Sequence, residues 1–162
     1  EISRCDWSSD VCSSDLMSCN RNLKNTHYKS AQNAYNDASQ AFVATGTPVS
    51  VLGVLNTDTG CSVDTVTGGF QINASGLYRV SYDVTLTPSA AGVAVLQGLK
   101  DTATLPCLNA QATVAAGSVY TLHAETTIYI PVCCNGTPTI SATLGGVAGT
   151  ISHVCASVVK LA

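Results

Sequence analysis

The strongest constraint on the fold is a short stretch, GLYRVSYDVTL at positions 76–86, in which apolar and polar side chains alternate from Tyr78 to Leu86. The apolar set is Tyr78, Val80, Tyr82, Val84 and Leu86, and the polar set is Arg79, Ser81, Asp83 and Thr85. Because successive side chains of a β-strand point to opposite faces, this pattern predicts a strand with one buried face and one solvent-facing face.

Other β-rich runs follow one another along positions 45–162. They are TPVSVLGVL, CSVDTVT, AGVAVLQGL, NAQATVA, SVYTLHAETTIYIPV, TPTISATL and GTISHVCASVVKL. Turn-forming residues separate them, among them Thr-Pro-Ser at 87–89, Asn-Gly at 135–136 and Leu-Gly-Gly at 144–146. About eight to ten short strands with no helix among them are typical of an all-β antiparallel sandwich or barrel.

Two long runs near the C-terminus carry information about the surroundings of the sheet. In SVYTLHAETTIYI, one predicted face holds Tyr120, Leu122, Ala124, Thr126, Ile128 and Ile130, and the other holds Val119, Thr121, His123, Glu125, Thr127 and Tyr129. In TISHVCASVVKL both predicted faces are mostly apolar, with Ile151, Cys155, Val159 and Leu161 opposite Val154, Ala156 and Val158. An antiparallel strand that is apolar on both faces is expected to contact another subunit with its outer face.

Residues 1–16 differ from everything that follows them. They contain the only Trp and two of the eight Cys residues of the chain, and their segment DWSSDVCSSDL matches the translation of a common short-read sequencing adapter. We interpret residues 1–16 as a translated library artefact and exclude them from functional reasoning, as one would exclude a tag. The alternative is a genuine Cys-containing N-terminus. Met17 is then the first candidate start, and no signal peptide is visible.

The charge balance excludes several classes of partner. Without residues 1–16, six of the seven basic and six of the ten acidic residues remain, so the rest of the chain is close to neutral. Such a chain has no electrostatic footprint for nucleic acid or an anionic membrane, and no run of about 18 apolar residues could span a membrane. So few charges predict that part of the surface is covered in an oligomer, with aggregation as the alternative.

The region 17–44 is rich in Asn, Gln, Ser and Lys and is predicted to be a separate N-terminal tail. Within it, a short heptad seam is formed by Tyr28, Ala31, Tyr35, Ala38 and Phe42. Two heptads alone are too short for a stable helix, so the seam needs support from a neighbouring oligomer. The alternative is a flexible polar tail or an anchoring peptide.

The stretch GGFQINASGLYRVSYDVTL resembles the C1q/TNF-like jelly roll, in its bacterial and phage members, through Phe70, Ile72, Gly76, Leu77, Tyr78, Val80 and Tyr82. The closing SHVCASVVKLA is similar to the C-terminal strand of that fold, which lies in its inner sheet. The resemblance covers residues 45–162 and implies an antiparallel jelly-roll sandwich that forms a homotrimer around the inner sheet. The residues then expected in the trimer interface or core are Tyr78, Tyr82, Ile151, His153 and Cys155. No Gly-X-Y repeat is present, which excludes a collagen-like stalk within these residues.

Metal binding and disulfides remain open at the level of sequence. Beyond residue 16 the cysteines are Cys19, Cys61, Cys107, Cys133, Cys134 and Cys155, and their pairing, or their state as free thiols or inter-subunit crosslinks, cannot be deduced. His123, His153, Cys133 and Cys134 are candidate metal ligands, or either histidine could repeat around a threefold axis. With no C-x₂-C or H-x₃-H spacing, we assign no metal site and no cofactor.

No catalytic motif is present, and the acidic residues are scattered, so we predict that the protein is not an enzyme. The resemblance implies a structural homotrimeric head on a particle surface, most simply a phage head fibre or capsid decoration protein, whose residues 17–44 contact a capsid or envelope protein. One alternative is a spore-coat or bacterial cell-surface protein with the same head. Another is a carbohydrate- or receptor-binding module that uses Asp101, Asn109 and Asn135.

Overall fold

The computed structural model describes residues 30–51, 53–56, 62–132 and 136–162. The strands in these ranges are β1 (Ala31–Asn36), β2 (Gln40–Phe42), β3 (Thr47–Pro48), β4 (Gly53–Asn56), β5 (Val63–Val66), β6 (Gly69–Ile72), β7 (Gly76–Pro88), β8 (Gly92–Lys100), β9 (Ala103–Val114), β10 (Tyr120–Ile130), β11 (Thr139–Gly145) and β12 (Gly149–Lys160). The same ranges contain no helix, which confirms the all-β prediction. They accordingly hold no helix long and apolar enough to cross a membrane.

The strands form two antiparallel sheets. The first sheet has the order β10-β7-β12-β1-β4, and β2 pairs with β12 beyond the end of β1. The second sheet has the order β5-β6-β11-β8-β9, and β3 pairs with β11. Neighbours within a sheet are distant in sequence, as for β7 between β10 and β12, and the connections cross between the sheets. This topology confirms the predicted jelly-roll sandwich.

The described strands outnumber the eight to ten that the sequence predicted, because one predicted run is divided and two strands lie in the region predicted as a tail. The run TPVSVLGVL contributes β3 to the second sheet and β4 to the first. β1 and β2 come from the region predicted as a tail. Short strands that change sheets carry no distinct sequence signal, so the sequence predicts fewer strands than the structure contains.

The core lies between the two sheets and contains the side chains that the alternation of β7 predicted. Those that are fully buried in β7 are Tyr78, Val80, Tyr82, Val84 and Leu86. Tyr82 of the first sheet meets Phe70 of the second edge to face, with ring centroids 6.3 Å apart and planes at 67°. This geometry is a favoured one for aromatic pairs, so the contact helps to align the two sheets.

β10 also follows its predicted alternation. Leu122, Ala124 and Ile130 are buried, whereas His123 and Glu125 are exposed. The alternating pattern therefore assigned the two faces of β7 and β10 correctly from sequence alone.

β12 departs from its predicted alternation. We predicted Ile151 on the same face as Cys155, but Ile151 is fully buried while Cys155 faces outward and is partly exposed. A β-bulge between Ile151 and His153, where the register with β7 shifts, is the reason. The extra residue moves every side chain after it to the face opposite the predicted one. The residues that share the core face with Ile151 are consequently Val154, Ala156 and Val158, which we had placed opposite it.

The predicted helical seam is wrong. Tyr28 lies outside the described residues, Ala31 and Tyr35 lie in β1, Ala38 lies between strands, and Phe42 ends β2 and is buried. β1 pairs with β12 along its whole length, and β2 continues along the same strand. Two heptads cannot sustain a helix in isolation, so pairing with an existing strand prevails over the 3-4 spacing.

The edge of the second sheet is irregular. The ladder between β8 and β9 shifts register after Gln97, whose side-chain amide bonds to a backbone carbonyl of β9 at 2.9 Å and accepts from Asn109 Nδ2 at 2.8 Å. Leu108 turns inward over Gly98, where the Cβ of any other residue would lie 2.3 Å from a Leu108 side-chain atom. Pro106, which has no N–H, lies exposed in this bulged part of β9.

Candidate functional site

The candidate site is the solvent-facing side of the first sheet, which we call the outer face. Its residues alternate with those of the core. They are Thr121, His123, Glu125, Thr127 and Tyr129 of β10, Leu77, Arg79, Ser81, Asp83 and Thr85 of β7, His153, Cys155, Ser157 and Val159 of β12, and Ala31, Asn33 and Tyr35 of β1. Most of these side chains are short or half-buried.

Small hydroxyl side chains form the middle of the outer face. The Oγ atoms of Ser81 and Ser157 are hydrogen-bonded at 2.7 Å across β7 and β12. The Oγ1 atoms of Thr85 and Thr121 are joined in the same way at 3.1 Å across β7 and β10. Cross-strand pairs of this kind stabilise the sheet and satisfy each other, so this part of the face presents little unbonded polarity.

One end of the outer face is apolar. Tyr129 lies opposite Leu77 in the ladder of β10 and β7, and the Leu161 backbone N–H donates to the Leu77 carbonyl at 2.7 Å. The Tyr129 and Leu161 side chains are 60% and 42% exposed, although both are large and apolar. Grouped exposed side chains of this type indicate a contact surface.

Two histidines of the outer face are each held by a carboxylate. The Nδ1 atom of His123 lies 2.7 Å from Asp83 Oδ1 on the neighbouring strand. The Nδ1 atom of His153 is bonded to Asp37 Oδ1. Both rings are about half exposed, and the pairs are ionic only when the imidazole is protonated.

The pair of His153 and Asp37 sits where two strands are irregular. His153 follows the β12 bulge, and Asp37 lies in the break between β1 and β2. The regular pairing of both strands is interrupted next to these two residues, and the side chains of His153 and Asp37 bond to each other. Neither carboxylate partner can be identified from the sequence, because the pairing depends on the register of strands far apart in the chain.

The described part of the chain shows no metal site. Among the residues described, no group of three or more His, Cys, Asp or Glu side chains could hold a metal ion. The candidate ligands His123 and His153 belong to separate pairs on β10 and β12. The other two candidates, Cys133 and Cys134, lie outside the described residues.

Two cysteines fall within the described residues, and both are free thiols. Cys107 is exposed on β9, whereas Cys155 is partly buried on the outer face. Burial, and to a smaller degree the negative charge of Asp83, raises the pKa of the Cys155 thiol above its usual value. The remaining cysteines beyond residue 16 lie outside the described residues: Cys19, Cys61, Cys133 and Cys134.

The residues expected in the trimer interface or core divide between two places. Tyr78, Tyr82 and Ile151 are fully buried between the sheets. His153 and Cys155 lie on the outer face. The first three therefore support the sandwich itself, and only the last two are placed to meet another molecule.

The residues considered for ligand binding do not form a cluster. Asp101 lies in the β8–β9 turn with φ of 55°, and its Oδ1 accepts a hydrogen bond from the Thr139 backbone N–H at 2.9 Å. Asn109 lies further along β9 and donates to Gln97. Asn135 lies outside the described residues. Asp101 and Asn109 thus make structural hydrogen bonds within their own chain.

No family model and no curated protein matches the chain. Solved structures do match it. Murine APRIL, in a crystal at pH 5.0, is 13% identical with a TM-score of 0.61, over 83% of this chain and 100% of that one. The globular domain of zebrafish complement 1qA protein is 9% identical with a TM-score of 0.56, over 79% and 94% of the two chains.

The PRD1 vertex protein P5 is 15% identical with a TM-score of 0.56, over 82% of this chain and 73% of that one. The fold is a C1q/TNF-like jelly roll. At these identities the likeness concerns the fold alone. The outer face is the solvent-facing side of the sheet that contains the C-terminal strand, β12. This is the sheet that the resemblance to the C1q/TNF-like jelly roll describes as the inner one.

Proposed function

We propose that the protein is a non-enzymatic, homotrimeric head in which the outer face packs around the threefold axis. The observation that carries this proposal is the character of that face. Its centre contains small hydroxyl residues, and it ends in an apolar row that consists of half-buried Leu77 and exposed Tyr129 and Leu161. A face of this kind, in a chain with few charges, is expected to be covered by another molecule.

A second copy of the chain is the simplest occupant of the outer face. Closed symmetric assemblies are the common state of soluble oligomers. Burial of the same face in every copy would remove Tyr129 and Leu161 from solvent and would explain how so neutral a chain avoids uncontrolled association.

We place this head on the surface of a virion, as a head fibre or capsid decoration protein. A vertex protein among the structural neighbours supports this placement. The part of region 17–44 that precedes β1 would contact the capsid, since β1 and β2 pair with β12 in the head itself. Detection of the protein in purified virions by antibody would support the placement, whereas detection only in spore coats or cell envelopes would move the head to a bacterial surface.

The first experiment is the solution mass of the full chain by light scattering, with and without reductant. We expect a stable species of three chains, unchanged by reductant, because the free thiols Cys107 and Cys155 do not need to crosslink the assembly. A trimer that dissociates in reductant would show that cysteines join the copies. A monomer at micromolar concentration would contradict the proposed assembly.

A further inference from the structure

We propose that Arg79 of one copy forms an ion pair with Glu125 of the next copy, so that three identical pairs close the trimer. This inference rests on the trimeric assembly proposed above. It adds the specific contact that determines which two parts of the outer face meet.

Glu125 is the unbound carboxylate of the described residues. Asp37 and Asp83 bind histidines. Asp64 accepts a hydrogen bond from an asparagine amide at 2.7 Å, and Asp101 accepts one from a backbone N–H of β11 at 2.9 Å. Glu125 is exposed on the outer face, and none of the described residues forms a hydrogen bond or ion pair with it.

Arg79 is the matching cation. Of the other basic residues in the described ranges, Lys100 lies on β8 of the second sheet. Lys160 is buried on the core side of β12, where loss of solvation lowers its pKa. Arg79 is thus the basic residue of the outer face, it is exposed, and it has no ion-pair partner within the described part of the chain.

The two charges lie on adjacent strands without facing each other. Arg79 is opposite Thr127, and Glu125 is opposite Ser81, so the two are diagonal neighbours. Such neighbours lie roughly 7–8 Å apart, and no ion pair joins these two in one chain. Each charge is consequently available to a partner that approaches the outer face from outside.

A threefold ring brings two different patches together at every interface. Glu125 lies on β10, the edge strand of the first sheet, and Arg79 lies one strand further in. When the β10 edge of one copy packs on the face of the next copy, its Glu125 meets β7 of that copy. The neighbouring side chains Ser81 and Thr127 are small enough to permit the approach. A charge covered at such an interface requires an opposite charge, since an unpaired one is strongly unfavourable.

Charge reversal tests the contact. R79E and E125R each place two like charges at all three interfaces, and we expect each variant to dissociate at a concentration at least about tenfold higher than the wild-type trimer. The double variant restores opposite charges and is expected to recover the wild-type dissociation constant to within about threefold. The neutral variants R79Q and E125Q serve as milder substitutions should a reversal impair folding.

Mixing the two single variants distinguishes pairing between copies from pairing within one copy. A trimer that contains both R79E and E125R chains has two interfaces with opposite charges and one with like charges. Mixed trimers are therefore expected to form at lower concentration than either variant alone. If Arg79 paired with Glu125 of its own chain, mixing would leave the dissociation constant unchanged, because each variant chain would still carry two like charges at positions 79 and 125.

The matched control removes the effect of net charge. K100E and D64K make the same changes of charge on the second sheet. A mixture of these two variants should have a dissociation constant within about twofold of that of either variant alone. A wild-type trimer whose stability is unaffected by R79E and E125R, or one in which mixing fails to help, overturns the ion pair and leaves the trimer intact. A monomeric wild-type chain overturns both proposals.

Discussion

The hydroxyl group of Tyr78 ties the start of β7 to the preceding turn. It donates to the carbonyl of Ala74 at 2.6 Å, whereas the hydroxyl group of Tyr82, in the middle of the core, reaches the Ile140 carbonyl only at 3.4 Å. Burial raises the pKa of the Tyr82 phenol, so this group stays protonated at all ordinary pH values.

We predict that Y78F lowers the free energy of unfolding by about 1 kcal/mol, because it removes a short hydrogen bond. Y82F is the matched control and should change it by less, because its hydrogen bond is already long. Chemical denaturation of both variants in urea measures the difference. A larger loss for Y82F than for Y78F would contradict the prediction.

The two described thiols should differ in reactivity. The thiolate is the reactive form, and the raised pKa of Cys155 reduces its thiolate fraction, while partial burial restricts access. We predict that iodoacetamide at neutral pH modifies Cys107 before Cys155, as followed by peptide mass spectrometry. Raising the pH should accelerate modification of Cys155, since its thiolate forms at higher pH than that of an ordinary cysteine. Equal rates in denaturant are the control, and earlier labelling of Cys155 in the native protein would refute the assignment.

At the scale of the element, the turns differ in how strictly they require glycine. Gly146, between β11 and β12, has φ of +83°, and a Cβ there would lie 2.1 Å from the Val93 carbonyl oxygen. Gly117, between β9 and β10, has φ of +76°, but a Cβ there would meet nothing within 4 Å. The β11–β12 turn is therefore packed against β8, whereas the β9–β10 turn is open.

We predict that G117A destabilises the protein by about 1 kcal/mol, the usual effect of a side chain in a left-handed backbone conformation. G146A should destabilise it by at least about 2 kcal/mol more, because the backbone of β8 must move. Thermal unfolding of the two variants compares them under the same conditions. Similar losses would mean that the clash at Gly146 relaxes without strain.

The strands that the sequence predicted well are those whose two faces differ in polarity. β7 and β10 alternate between core and solvent, so a period of two residues was sufficient to assign their faces. The bulge in β12 was not predictable, because it coincides with the bond from His153 to Asp37, which is 116 residues away in sequence. β1 was missed for a related reason: its strand conformation depends on pairing with β12, and its local 3-4 spacing fits a helix equally well.

The candidate site was predicted in part. The resemblance placed the C-terminal strand in the relevant sheet, and His153 and Cys155 do lie on the outer face. The sequence could not show that Arg79 and Glu125 lie near each other while every other described carboxylate is occupied. That conclusion requires the strand register and the hydrogen bonds, neither of which a single sequence contains.

At the scale of the whole molecule, the outer face and the opposite sheet should respond differently to the same substitution. Ser157 lies at the centre of the outer face, and Thr113 lies exposed on β9 of the second sheet. We predict that S157K prevents trimer formation, because three lysine charges would be covered at the interfaces. T113K should leave the mass unchanged and should unfold within a few °C of the wild-type chain. S157K should stay folded but unfold at a lower temperature, because it lacks the stabilisation that assembly gives to the folded chain. Light scattering and thermal unfolding provide the two readouts, and a trimeric S157K would place the interface elsewhere.

The bulged edge at β9 bears on how such heads behave when they are crowded. Many copies on one particle would hold their sheet edges at high local concentration, the condition under which exposed strands join into open-ended fibrils. Pro106 offers no N–H for such pairing, and the shifted register beside Gln97 disrupts the row of backbone groups that an incoming strand would need. This part of β9 is thereby unsuited to act as a template for a further strand, which would help crowded copies of the chain to stay separate.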